Sequence, residues 1–177
     1  MRYTYNEDKW IDRPTGLYNS VLYLTLSDGT EPVTLQQAKD WGKIENDEDD
    51  DIITALITAA RRICENFSGI GFISREITAG INNSNGGFFL PYGPVTVAPT
   101  AVDDNADAIA LDYNIGQIES PFGRMVVTYT AGYAILPEDL MTALKAQFLF
   151  LYENRGEGTE AISPISKMIL EPLRMVV

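Results

Sequence analysis

The chain has no histidine and a single cysteine, Cys64. Without imidazole, Ser-His-Asp and Cys-His catalysis are excluded, as are the common zinc ligand sets. One thiol cannot form an intrachain disulfide, which fits a reducing compartment and makes the cytoplasm the expected place of synthesis. Basic residues are scarce: 13 Lys and Arg stand against 25 Asp and Glu, a formal charge of −12. Phosphate neutralisation supplies most nucleic-acid affinity, so this balance opposes reading of DNA sequence. A negative field would suit a channel that DNA must pass without sticking, and plain solubility accounts for the same charge. No apolar run reaches the roughly 18 residues that span a bilayer. Glu7, Asp8 and Lys9 stand where an export signal would be apolar, so no membrane partner is expected. No GxxxxGK[ST] loop is present, and Gly69 with Gly71 does not make a dinucleotide fingerprint, so no cofactor is expected.

What is present is ordinary material for a folded protein. The 177 residues are 45% hydrophobic and 21% charged, enough for one domain with a real core. Residues 1–31 read as an N-terminal arm in which residues 21–26 form a strand, closed by the turn Ser27, Asp28, Gly29. Thr34 with Gln37 three residues on predicts a capping box opening a short helix over 35–41. A long amphipathic helix is predicted over about 47–67. Ile52, Ile53, Leu56, Ile57, Ala60, Ile63, Cys64 and Phe67 recur on one face, and Gly69 stands where a left-handed cap is expected. Burying that face contributes roughly 10 kcal/mol or more before chain entropy, at about 1.5–3 kcal/mol per large side chain. From about 72 to 130 the pattern turns to alternation and predicts a small antiparallel β insertion. A further helix is predicted over about 137–154, with Pro137 at its start and Glu138 and Asp139 in its first turn. The fold class is therefore α+β, a helical core with a β insertion. Residues 32–177 are expected to form a single domain after the arm, ending in a C-terminal docking segment over about 159–177.

The acidic run Asp47, Glu48, Asp49, Asp50 and Asp51 is the one cluster with the chemistry for a hard cation. An EF-hand loop starting at Asp47 would need Gly at Ile52 and Glu at Thr58, so it fails at both positions. A two-metal nuclease needs carboxylates converging from separate elements. The acids suit the positive end of a helix, and they also form a candidate acidic surface; no metal ligand is assigned. Arg61 and Arg62 lie off the apolar face with Glu65 and read as a solvated face. Cys64 lies on the apolar face, where a thiol is unreactive.

Excess apolar surface points to partners. The second half of the last long helix, with Phe148, Phe150 and Tyr152, is apolar all round, whereas a surface helix keeps one polar face. The tail carries Ile165, Met168, Ile169 and Leu173, which either close the chain's own core or dock on a partner. Thr54, Ala55, Thr58 and Ala59, beside Arg62, make the opposite face of the long helix small enough for another helix to approach. These twelve residues are the candidate subunit or partner contacts.

Several segments taken in order carry a resemblance. They are Pro32-Val33-Thr34-Leu35-Gln36-Gln37-Ala38-Lys39, the acidic start, and the long helix ending Glu65-Asn66-Phe67-Ser68-Gly69. Then come Leu90-Pro91 to Val97, the strand-turn Val127-Thr128-Tyr129-Thr130-Ala131-Gly132-Tyr133, and Pro137-Glu138-Asp139-Leu140. Leu151-Tyr152-Glu153-Asn154-Arg155 and Leu170-Glu171-Pro172-Leu173-Arg174 complete the set. In this order the chain resembles the head-tail connector (adaptor, or head completion) proteins of long-tailed bacteriophages and prophages. The resemblance implies a virion structural subunit without enzymatic activity that joins a homo-oligomeric ring, with a dodecamer as precedent. That ring would dock under the portal protein at the virion head–tail junction, extend the DNA channel, and meet a tail-side completion or stopper protein. An arm as long as residues 1–31 departs from the family pattern. Two other readings remain open on the residues alone: a metal-dependent phage DNA-processing enzyme using the acidic run, and a non-phage protein-binding adaptor.

Overall fold

A computed structural model describes residues 20–83, 87–114, 117–119, 123–154 and 161–174. The fold is α+β, and the chain divides into two compact units. A helical unit comprises residues 30–73 and 133–176; a β unit comprises residues 1–29 and 74–132.

The helical unit opens with α1 (Leu35–Gly42), whose capping box is present as predicted: Gln37 N–H donates to Thr34 Oγ1, and Thr34 N–H to Gln37 Oε1. Helix α2 (Asp50–Ser68) begins three residues later than predicted and ends on Gly69, whose φ of 75° supplies the left-handed cap. Helix α3 spans Glu138–Glu153, and α4 spans Pro164–Leu170, followed by a 3₁₀ turn at Glu171–Leu173. One core gathers Ile53, Ile57, Ala60 and Cys64 of α2, Leu140, Ala143, Leu144 and Phe148 of α3, and Leu170 of α4. Serine and glutamine side chains pin α4 in place. Ser166 Oγ donates to the Ala143 carbonyl at 2.7 Å, and Ser163 N–H donates to Gln147 Oε1 at 2.7 Å.

The buried arc of α2 is rotated from the face that hydrophobicity marks. Ile52, placed on the apolar face by its spacing, is 45% exposed, whereas Arg61, Glu65 and Ser68 are buried. The cause is a polar cluster supplied from outside the helix. Arg61 Nε and Nη2 donate to Glu31 Oε2 and Oε1 at 2.8 and 2.9 Å, a bidentate pair, and Nη1 donates to Glu65 Oε2 at 2.8 Å. Glu65 Oε1 accepts the Phe72 N–H at 2.9 Å, and Thr58 Oγ1 donates to Glu31 Oε1. The reading of Arg61 and Glu65 as a solvated face is thereby corrected, because each charge finds its partners inside the unit. Arg62, one step round the helix, is exposed.

The β unit holds two antiparallel sheets where the sequence suggested one. Its elements are β1 (Ser20–Leu26), β2 (Arg75–Asn83), β3 (Gly87–Phe89), β4 (Val95–Val102), β5 (Ala108–Ile109), β6 (Asp112–Asn114), β7 (Gln117–Glu119) and β8 (Gly123–Ala131). Five strands run in the order β1-β2-β8-β4-β5, and three in the order β3-β7-β6. Alternation sends Ile77, Ala79 and Ile81 of β2 and Met125, Val127 and Tyr129 of β8 to one face. Phe88 and Ile118 of the smaller sheet join them, and Tyr129 donates its hydroxyl to the Pro91 carbonyl at 2.8 Å.

Strand β1 comes from the segment expected as an arm, whose residues 1–19 lie outside the described residues. It pairs along β2, and the Tyr23 ring lies directly over Gly80, in the space a side chain there would take. The β unit is therefore assembled from two separated stretches of sequence.

The interior of the helical unit makes three predictions. Arg61→Ala leaves Glu65 buried without its cation and should cost about 3–5 kcal/mol by chemical denaturation. Burial pushes the Glu31 carboxyl up, but the bonds and charge of Arg61, with Thr58 and Arg62, outweigh it and hold it below its ordinary value of 4.5. Between the two values the unfolded chain binds more protons, so Glu31 stabilises fully above about pH 4.5, and this is lost as pH falls through the folded value. Glu31→Gln should accordingly lower the melting temperature at pH 7 and have a smaller effect at pH 3. The Cys64 thiol, fully buried beside Glu65, is pushed up to about 12, so thiol reagents at pH 8 should label it only at the rate of unfolding.

Candidate functional site

The sequence-marked residues fall on the helical unit, and its packing sorts them. The acidic run meets its own cation and hydroxyl. Lys39 Nζ reaches Asp47 Oδ1 at 2.5 Å and Asp50 Oδ1 at 2.8 Å, and Tyr152 donates its hydroxyl to Asp49 Oδ2 at 2.8 Å. The hydrogen bond from Lys39 holds the Asp47 carboxyl below its ordinary range, and the same contacts raise the Lys39 ammonium.

Helix capping explains part of this arrangement. Asp50 and Asp51 stand in the first turn of α2, where the helix field favours them, whereas the N-cap residue Asp49 makes no side-chain capping bond. Three carboxylates of the run thus tie the α1–α2 connection to α1 and α3. Asp47, Glu48 and Asp51 keep an exposed acidic edge. Among the described residues no three His, Cys, Asp or Glu side chains are grouped to hold a metal ion.

The small face of α2 divides in two. Thr54 and Ala55 are exposed, with Thr54 Oγ1 donating back to the Asp50 carbonyl, and Arg62 is exposed with them. Thr58 is occupied internally by Glu31, and Ala59 is half-buried. The open strip is therefore Thr54, Ala55 and Arg62, with Ile52 beside it.

On α3 the expectation of an all-round apolar surface is partly met from within. Phe148 is 1% exposed in the core, which removes it from the candidate contacts: the ring is consumed by packing inside its own unit. Leu149, Leu151 and Tyr152 pack partly on the same core, and Phe150 is half-buried. The tail closes its own core on one side and leaves apolar side chains open on the other. Ser166 and Leu170 face the core and Ile169 packs at its border, while Ile165 (55% exposed), Met168 (70%) and Leu173 (40%) face outward.

Several exposed apolar side chains escaped the sequence reading. Trp41 is 45% exposed, with the Lys145 ammonium 5.5 Å from its ring centroid; Ile135 is 88% exposed in the turn before α3. Val97 of β4 is 56% exposed. Single apolar residues outside a periodic run give no signal of exposure, so only their neighbours in space reveal them.

No curated protein matches the sequence. Among solved structures, a chain from the neck of an empty gene transfer agent (GTA) particle, computed with C6 symmetry, is similar with a TM-score of 0.69 at 20% identity. That likeness covers 87% of this chain and 96% of the other. A chain from the virion of a native GTA particle gives 0.66 at 22% identity over 87% and 96%. A chain from the neck of a native GTA particle computed with C12 symmetry gives 0.61 at 22% over 86% and 96%. At these identities the likeness establishes the fold. Sequence identifies the family: the head completion protein family matches residues 31–160, which carry all of α1, α2 and α3, the acidic run and seven of the eight strands. With most of its length matched, this chain belongs to the head completion protein family of virion structural proteins.

Proposed function

We propose that the chain is a non-enzymatic head–tail connector subunit that joins its copies into a ring under the portal, extending the DNA channel toward a tail-side completion or stopper protein. The observation that carries this reading is family membership over residues 31–160 together with a fold similar to chains of C6- and C12-symmetric particle necks. Necks computed with C6 and with C12 symmetry both support a ring, and twelve subunits is the size that agrees with both. Synthesis in the host bacterial cytoplasm agrees with a lone cysteine kept buried.

The physical features support the same role. A cyclic ring needs two different patches per subunit, since each copy meets its neighbours through opposite sides. The helical unit offers separate exposed sets, the Thr54, Ala55 and Arg62 strip with Ile52, and the Ile165, Met168 and Leu173 group. The latter suits the C-terminal docking role. A net charge of −12 lets DNA traverse the ring without the phosphate contacts that would arrest it. The acidic run has internal partners in Lys39 and Tyr152, and this supports structural over metal-dependent use of those carboxylates.

The chain incubated with its portal should give ring-shaped particles by electron microscopy and a mass far above the monomer by light scattering. A monomer under all these conditions would overturn the reading. Incubation of DNA with the protein and Mg²⁺ or Mn²⁺ should leave the DNA uncut. Met168→Asp should weaken portal or neighbour binding at least several-fold with an unchanged melting temperature, because the side chain contributes little to its own core.

A further inference from the structure

The five-stranded sheet of the β unit runs from β1 to the two-residue β5, so among the described residues its long open edges are β1 and the part of β4 that β5 leaves uncovered. Natural edge strands are guarded by charged side chains, above all lysine, because an open row of N–H and C=O groups templates pairing. Here the pattern is reversed. The charged residues of this sheet, Arg75, Glu76 and Arg124, lie on the inner strands β2 and β8, whereas β1 and β4 carry none. The chain as a whole is 21% charged, so two uncharged edges are not a consequence of composition.

Among the described residues both edges have an open stretch of similar length. Strand β5 covers β4 only at Ala101 and Val102, so among the described residues no strand lies beyond Val95, Thr96, Val97 and Ala98. Thr96, Val97 and Ala98 are exposed, and Pro99, which has no N–H to give, ends the usable stretch. On β1 the pairing with β2 shifts register between Val21 and Tyr23, and Tyr23, Leu24, Thr25 and Leu26 then run in regular register. Four residues thus stand open on each side, those of β4 in the stretch where its pairing with β8 shifts register between Val95 and Val97 and again between Val97 and Thr100.

Strand direction fits the same match. Each of β1/β2, β2/β8 and β8/β4 is antiparallel, so β1 and β4 run in opposite directions. A rotation about an axis running along the strands repeats the sheet without reversing it. The β1 of the next copy then lies beside β4 of the first and antiparallel to it, continuing the sheet's own pattern. A heterologous contact of this kind closes into a ring when its rotation divides a full turn, which the ring reading requires.

We propose that neighbouring copies join by strand addition, residues 23–26 of β1 in one copy pairing antiparallel with residues 95–98 of β4 in the next; this rests on the ring reading above. Backbone pairing supplies the affinity, and the uncharged edges allow it from both sides.

The full-length chain assembled with portal provides the test. Thr25→Cys is combined in turn with Thr96→Cys, Val97→Cys and Ala98→Cys, and the rings are treated with a short bis-maleimide. Buried Cys64 does not compete. At least one pair should give a ladder of covalent oligomers on a denaturing gel, and each single variant should give none, because the contact joins two different edges. Ala98→Lys should reduce the ring fraction several-fold while the circular dichroism spectrum and melting temperature stay unchanged. Rings visible by microscopy without a ladder from any pair, or unaffected by Ala98→Lys, would overturn strand addition while leaving the ring intact. Failure of the unmodified chain to form any ring would overturn the ring reading itself.

Discussion

A guanidinium withdrawn from water is tolerable only if every face of it is met, and the helical unit is organised around meeting that demand for Arg61. Glu31 takes two of its donors from the segment before α1, and Glu65 takes a third from the next turn of α2. Glu65 in turn accepts the Phe72 N–H just beyond the helix cap. Three stretches of chain are thus fixed to one another: the entry to the unit, the long helix, and its exit. A neutral apolar residue would pack as well as Arg61 and could stabilise more, since desolvation offsets much of a buried ion pair. It would leave the entry and exit segments without a common anchor, and that specificity of position is what the charged cluster supplies.

The consequence reaches the outer surface. Because polar partners exist for Arg61 and Glu65, α2 can rotate them inward and turn Ile52 outward. A helix whose buried arc followed hydrophobicity alone would hide Ile52 and expose both charges. The apolar side chain beside Thr54 and Ala55 is therefore displayed as a by-product of the internal ion pair. What the helix displays and what stabilises the core are coupled through the rotation of one helix.

Much of this was legible in the sequence, and the misses share a cause. The capping box at Thr34, the left-handed cap at Gly69, the α+β class and the span of α3 follow from local chemistry acting within a few residues. The burial of Arg61 depends on Glu31, thirty positions earlier, and periodicity carries no information about a partner so distant. Phe148 is hard to place for a related reason: an all-apolar segment has no polar face to show which side is inward, and the packing of α3 against α2 and α4 decides it. The acidic run looked like a cap because helix starts favour acids, yet Lys39 and Tyr152 reach it from two other helices. The second sheet escaped because strands of three residues are too short for alternation to register.

The two units also place different demands on a subunit that must join others. The helical unit closes its core almost completely, with Phe148 and Leu170 inside and only scattered apolar side chains outside. Its surface can bind a partner by side-chain contact, where single substitutions change affinity gradually. The five-stranded sheet is open by construction, because an antiparallel sheet that does not close into a barrel always ends in two unsatisfied edges. Charging those edges would have been the simplest protection, and the charges instead sit on the inner strands. An uncharged edge is a hazard in a solitary monomer and an asset in a subunit whose edges are covered on assembly. The same physics that makes such a strand aggregation-prone makes it a directional connector, since backbone pairing fixes both the register and the orientation of the next copy.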